Sequence, residues 1–375
     1  MPWKVVPVSE IRIAFVHQVV SLKVPIATAC REFGISRKTA YKWLGRYQDA
    51  PDRPLSDHCR RPRSSPLRTA LDLENLVLSV RDQYGWGPRK IHAHLSQKHP
   101  MPSIRTVAAI LTRYSRIQPL VAQTPAVQRF ERAAPNELWQ CDFKGYLEVA
   151  RQRVFPFTVP DDHSRYLFAV QPCFDQTMKT AWEVLWRVFG DVGLPEAILC
   201  DNAFGNRYRT PGLSWFEARL VRLKIQPIHG RPYHPQTQGK IERLHGTLEK
   251  EVWPRVRRDQ VDHFNEDVSR WRVNVYNSLR PHEALGDRPP LSRWRPSPRR
   301  RPDELPPVEY PSDAVLRKVA AGGDIQWQRF RILAGCGLVG EWIRVEEREH
   351  DVALFFAHKE IRCLPIAHLQ LRRVL

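Results

Sequence analysis

Three acidic residues stand where chemistry on an open α/β sheet gathers, at strand ends and on the helix beside them. Asp142 lies inside the apolar strand pattern LWQCDF, where an unpaired carboxylate is costly to bury without a cationic partner. Asp201 follows the apolar run AILC and is itself followed by Asn202, and Glu242 projects from a helical stretch entered through a Gln-Gly turn in HPQTQGKIER. If the strands bearing the aspartates are neighbours and the helix crosses their ends, the three anions converge, and they raise one another's pKa unless a divalent cation neutralises them. Mg²⁺ or Mn²⁺ meets that demand, because hard cations take carboxylate oxygens and keep positions open for water and phosphate. Two such ions, roughly 4 Å apart, would activate a water or a 3′-hydroxyl and stabilise the leaving oxygen of an in-line phosphodiester displacement. A chain of this size holds many carboxylates, so spacing alone leaves the assignment open.

The elements that must position these groups begin near residue 136. ELWQCDFKGYLEV, RVFPFTVPD and RYLFAVQPC read as three consecutive strands of an antiparallel meander. A helix in QTMKTAWEVLWRVFGDVG, a strand at EAILCDN, a helix around SWFEARLVRL, a strand at KIQPIH and the Glu242 helix follow. This order describes a mixed sheet flanked by helices. Other acids compete for the site. Asp161 and Asp162 read as solvated turn residues, and Glu249 and Glu251 as partners of Lys250 or of solvent. Lys240, Arg243 and His245 are expected to line DNA beside the carboxylates, although a solvated helix face has the same pattern; His234 fits a phosphate contact or the turn alone.

The rest of the chain supplies the context. In 375 residues there are 59 Lys plus Arg against 40 Asp plus Glu, a net charge of +19 that favours a polyanionic partner. No apolar run approaches the roughly 18 residues of a spanning helix, so no membrane role is expected, and the start has no secretory signal pattern. The seven cysteines are scattered without a Cys-x-x-Cys pair, as in a reducing cytoplasm; His58, Cys59 and the histidines at 92, 94 and 99 lack zinc-ligand spacing. Residues 5–50 hold three apolar-periodic segments with a Gly34 turn and Ser36 at the start of the last, the pattern of a helix-turn-helix. Its outward face carries Arg37, Lys38, Tyr41, Lys42 and Arg46, suited to the major groove of double-stranded DNA. A basic linker at 51–66 leads to a second helical unit, 67–118, whose last helix is capped by Ser103 and presents Arg105; DNA contact and a purely structural role fit it about equally. The catalytic region spans 133–290, a Pro- and Arg-rich linker that cannot form a core spans 291–310, and alternating strands at 311–375 predict a small β-barrel.

LWQCDF, DDHSRY, LCDNAF and RPYHPQTQGKIER, with YNSLRPHEALG after them, resemble the DDE catalytic core of transposases and retroviral-type integrases. The chain looks specifically like bacterial insertion-sequence transposases with an N-terminal helix-turn-helix, over roughly residues 5–290. It departs from them in Ala203, where glycine often stands, and in a longer interval before Glu242 at NRYRTPGLS. The resemblance implies an RNase H-like core with a mixed five-stranded sheet, and Asp142, Asp201 and Glu242 as catalytic metal ligands. It also implies binding of terminal inverted repeats, donor cleavage and strand transfer by a homodimer or higher multimer on DNA. A catalytically silent DNA-binding regulator on the same scaffold, and a nuclease that cuts without joining, are the alternatives.

Overall fold

The computed structural model describes residues 7–51, 55–57, 68–117, 131–205, 212–230 and 239–367. The chain divides into two compact units, Met1–Arg68 and Thr69–Leu375. In the first, α1 (Val8–Val20), α2 (Ile26–Glu32) and α3 (Arg37–Asp49) enclose Phe15, Ala29, Ala40, Trp43 and Leu44. Gly34 turns the chain between α2 and α3 at φ +60°, a left-handed conformation that side chains disfavour. Ser36 then caps α3, accepting from the Thr39 amide at 3.2 Å.

The second unit opens with α4 (Leu71–Tyr84), α5 (Pro88–Leu95) and α6 (Ile104–Arg113), packed around Trp86, Ile91, Ile110 and Leu111. Glu74 is fully buried among them, and its charge is met by Arg113 and by the Tyr114 hydroxyl at 2.8 Å.

The central sheet is built on β1 (Leu138–Phe143), β2 (Leu147–Val149), β3 (Gln152–Pro160), β4 (Leu167–Cys173), β5 (Ala197–Cys200) and β6 (Gln226–His229). β3 pairs antiparallel with β1, β2 and β4, whereas β1–β5 and β5–β6 are parallel, so the sheet is mixed as expected. Among the described residues it has six strands rather than the expected five. The stretch read as one strand, Glu137 to Val149, breaks at Lys144, Gly145 and Tyr146 and then resumes pairing with β3 as β2. One face is covered by α7 (Met178–Val192) and α8 (Trp215–Arg222) through Trp139, Phe157, Leu185, Phe189, Phe216 and Leu220. The other is covered by α9 (Gly239–Thr247) and α10 (Val261–Arg270) through Leu244, Leu248, Phe264 and Val268. Thr177 caps α7, and a reciprocal capping box between Ser214 and Glu217 starts α8.

Two expectations change beyond residue 290. The Pro- and Arg-rich stretch is a strap rather than a free linker. Trp294 stacks on Tyr166 at 4.2 Å, Arg299 donates to the Pro195 and Leu223 carbonyls at 2.6 and 2.7 Å, and Arg301 donates to the Trp186 carbonyl at 3.0 Å. The stretch forms no core of its own; Trp294 and Leu305 pack against the sheet's core, and arginine guanidinium groups donate to backbone carbonyls there. The tail is not a closed barrel. β7 (Val315–Lys318), β10 (Trp342–Glu347), β11 (Asp351–Phe356) and β12 (Lys359–Pro365) form an open sheet, and β8 (Asp324–Trp327) with β9 (Phe330–Leu333) a separate ladder. Their apolar faces, with Ile325, Ile343 and Leu354, close over Ala218 and Val221 of α8 instead of only over each other. No described helix is long and apolar enough to cross a membrane.

The helical trio is fastened to the region of the central sheet by buried charge. Glu251 lies in the π-helical turn Leu248–Val252 that extends α9 and is 7% exposed. It accepts two bonds from Arg280 and one from Lys90 of α5, all at 2.8 Å. Burial pushes its pKa up, but Arg280 and then Lys90 outweigh that and hold it below the ordinary glutamate value. Glu251→Gln should therefore lower stability by about 3 kcal/mol, because it leaves two cations facing a neutral amide. The difference should be full above the ordinary glutamate pKa and fade as pH falls through the depressed one. Calorimetric midpoints of the two proteins, compared at pH 7 and again in acid, check this; equal midpoints at pH 7 would remove Glu251 as a strut.

Candidate active site

Asp142 and Asp201 are brought together by strand pairing. β1 and β5 run parallel in register from Leu138 opposite Ala197 to Cys141 opposite Cys200, whose sulfurs are 3.2 Å apart in the core. The next residue on each strand is an aspartate, and because side chains alternate across a sheet, both carboxylates leave on the face opposite the thiols. Asp142 is partly buried, and its pKa is pushed up to about 6 by burial, by the charge of Asp201 and, more weakly, by that of Glu242. Asp201 is half-buried and starts a 3₁₀ turn at Asn202–Phe204, accepting from the Asn202 amide at 2.6 Å. His229, at the end of β6, contacts the Asp201 carbonyl at 3.3 Å and Glu217 at 2.9 Å, and the Glu217 contact holds its pKa above the usual histidine value.

Glu242 is exposed in the first turn of α9, near enough for its charge to act on Asp142. The three carboxylates thus share one field, although among the described residues no three Asp, Glu, His or Cys side chains stand close enough to enclose an ion. An all-oxygen donor set with surplus negative charge, felt as the raised pKa of Asp142, fits a hard divalent cation and does not fit a soft one.

The helix face around Glu242 differs from expectation. Lys240 turns inward, its Nζ donating to Asp162 Oδ1 at 2.5 Å. The His245 Nε2 lies 3.0 Å from Thr158 Oγ1, and burial, helped by Lys144, drives the ring's pKa down to about 4, so it is neutral. Both residues were expected to line DNA, and both are instead engaged with the sheet; of that trio only Arg243 is exposed. Asp161 and Asp162, expected as solvated turn residues, are each 1% exposed. Asp161 accepts from the Asn136 and Ser164 amides at 2.8 and 2.7 Å, and Asp162 from the Arg132 amide and Gln140 at 2.9 Å each. Glu249 pairs with Lys144 at 2.5 Å, and Glu251 with Arg280 and Lys90 rather than with Lys250 or solvent. His234, the Gln-Gly turn before Gly239, most of the NRYRTPGLS loop, His58 and Cys59 lie outside the described residues.

On α3 the side chains of Arg37, Lys38, Tyr41 and Lys42 are exposed, Lys42 with its ammonium over Trp43 at 4.7 Å and 3.9 Å from Asp57, while Arg46 folds over Trp43 at 4.7 Å and donates to the Ser56 carbonyl at 3.1 Å. Arg105 is exposed on α6, but Arg113 at that helix's end is used internally on Glu74. Sequence reading passed over Thr158 and Arg280. The first has only a weak signal, a hydroxyl inside the apolar strand VFPFTVP; the second lies in YNSLRPHEALG, which resemblance had already singled out.

Comparison with known proteins bears on the family of this region. The integrase core domain is matched over residues 132–235 and again, by a second model of it, over 223–290. A putative transposase for insertion sequence element IS5376 of Geobacillus stearothermophilus is 25% identical over 350 residues, 90% of this chain and 82% of that protein. The Gag-Pro-Pol polyprotein of squirrel monkey retrovirus is 31% identical over 114 residues, 30% of this chain; the chain spans 6% of the polyprotein's length. A simian T-cell lymphotropic virus intasome, solved in complex with PP2A regulatory subunit B56 gamma, aligns at 18% identity and a TM-score of 0.37, over 77% of this chain and 96% of that one. The chain carries an integrase core with a mixed sheet, and it is related to an insertion-sequence transposase along most of its length.

The raised pKa of Asp142 has a cost in stability. An aspartate protonated near pH 6 in the fold but near 4 when unfolded loses stability as pH rises between those values. In chelator, Asp142→Asn is expected to melt higher than the wild type above pH 6, by up to about 3 kcal/mol, and equally below pH 4. Melting curves followed by circular dichroism across that range check it; an asparagine variant less stable at pH 7 would contradict the electrostatic reading of the site.

Proposed function

We propose that the chain is a DNA transposase that binds the terminal inverted repeats of an insertion sequence and catalyses donor cleavage and strand transfer. The observation that carries this reading is the register of β1 on β5, which sets Asp142 and Asp201 side by side within the field of Glu242. Asp142, Asp201 and Glu242 would hold Mg²⁺ or Mn²⁺, as two ions per site. When bound, such ions acidify the attacking hydroxyl and stabilise the leaving oxygen. In strand transfer the 3′-hydroxyl at an element end forms a bond to a target phosphorus as the target P–O3′ bond breaks; in donor cleavage water is the nucleophile.

The chain's own residues bind and orient. Arg37, Lys38, Tyr41 and Lys42 on α3 are placed to read a major groove, with Arg46 set deeper and bracing Trp43. Arg105 is exposed on α6 and would add a phosphate contact from the second helical unit. Arg243, one residue after Glu242, is available to a phosphate beside the carboxylates. Because two element ends must be cut and joined together, the active form is a dimer or larger multimer on DNA.

Joining of labelled element ends to a plasmid in Mg²⁺ or Mn²⁺ tests the proposal. Glu242→Gln should abolish joining and leave end binding within about twofold, since it removes a carboxylate ligand but touches no reader helix. Lys42→Ala should do the reverse, weakening end binding and flattening its salt dependence by about one unit of slope. Specific binding by the wild type with no cleavage or joining in either metal would favour a regulatory protein; cleavage without joined product would favour a nuclease.

A further inference from the structure

We propose that Thr158 and His245 are positioning residues that fix the Glu242 helix against the strand carrying Asp142. The inference rests on the transposase reading and adds to it two residues that touch neither substrate nor ion. Thr158 stands directly opposite Asp142 in the β1–β3 register, and its hydroxyl donates to the Asp142 carbonyl at 3.1 Å. A threonine has one hydroxyl proton, so once that proton is committed, its oxygen can only accept from the His245 ring nitrogen 3.0 Å away. This requires a proton on Nε2, and because burial keeps the ring neutral, that proton is the ring's only one. The result is a directed chain from His245 Nε2–H to Thr158 Oγ1–H to the Asp142 carbonyl.

His245 is one helical turn beyond Glu242, so it lies on the same side of α9. The helix and the turn after it also rest on the sheet through Leu244 and Leu248. Apolar contact alone lets a helix slide and roll at little cost, because hydrophobic burial is non-directional. Hydrogen bonds have narrow distance and angle ranges, so the His245–Thr158 link sets rotation and axial position. Two residues before Glu242, Lys240 makes a second attachment to Asp162, itself held by Gln140 and the Arg132 amide. Glu242, exposed and therefore free to adopt several rotamers, is thus mounted on a helix pinned on either side of it.

The test separates positioning from folding by measuring Mn²⁺ binding directly, from the electron paramagnetic resonance of free Mn²⁺, beside the Mg²⁺ dependence of joining. Thr158→Val keeps shape and removes the hydroxyl; it should weaken Mn²⁺ binding about 10- to 100-fold and raise the Mg²⁺ needed for half-maximal joining in parallel. End binding should stay as in the wild type. Thr158→Ser should restore both metal readouts, and His245→Gln, which offers an N–H near the Nε2 position, should recover most of the loss. His245→Leu breaks the same chain from the helix side and serves if Thr158→Val is poorly folded. Wild-type Mn²⁺ affinity in both Thr158→Val and His245→Leu overturns the proposal, as does a loss that serine does not repair. If Glu242→Gln also binds Mn²⁺ like the wild type, the metal-site reading itself fails; if Glu242→Gln loses Mn²⁺ and the Thr158 and His245 variants do not, only the positioning role fails.

Discussion

The pairing of β1 with β5 is the constraint on which the rest depends. Parallel strands in register put Cys141 against Cys200 on the core side, and the following residues, both acidic, against each other on the other side. Two carboxylates forced together in a half-buried place repel, and neither can move away without breaking the ladder behind it. The core supplies the restoring force, since Trp139, Ile198, Phe157 and Phe216 pack beneath that same stretch of sheet. An apolar core here holds a charge arrangement that charge alone would disperse. Catalytic sites commonly have this character, with pKa shifts produced by a scaffold that overrides local electrostatics.

Buried acids elsewhere act as struts rather than as chemistry. Glu74, Asp162 and Glu251 are each buried and each met by a cation from a distant part of the chain: Arg113, Lys240 and Arg280. Many arginines work internally in this way, including Arg299 and Arg301, which donate to backbone carbonyls around the core. The net charge of +19 therefore overstates the positive surface left for a polyanion.

Much of the catalytic core could be read in the sequence because its signals are local. AILC followed by Asp201 is an apolar run ending in an acid, and the Ser36 cap and Gly34 turn declare the start of α3. What could not be read is decided by residues far apart. Asp161 and Asp162 have a turn's composition and occupy a turn, but their burial depends on Arg132, Asn136 and Gln140 before them and on Lys240 well after. Alternation revealed the C-terminal strands, but whether a sheet closes depends on what its open face meets, and here it meets α8. The inward turn of Lys240 and His245 was hidden for the same reason, since a basic helix face looks alike whether water, DNA or a buried acid lies opposite.

α8 itself has a further consequence. Phe216 and Leu220 face the central mixed sheet, while Ala218 and Val221 face the C-terminal strands, so one short helix is interior to two cores at once. The integrase-core match ends at residue 290, but the packing that holds α8 in place continues past it through the strap and the last sheets. The segment that matches the integrase core is therefore shorter than what folds as a body. Exchange of C-terminal modules between relatives would have to preserve the far side of this helix, a keel whose buried flank lies in one module and whose mate lies in another.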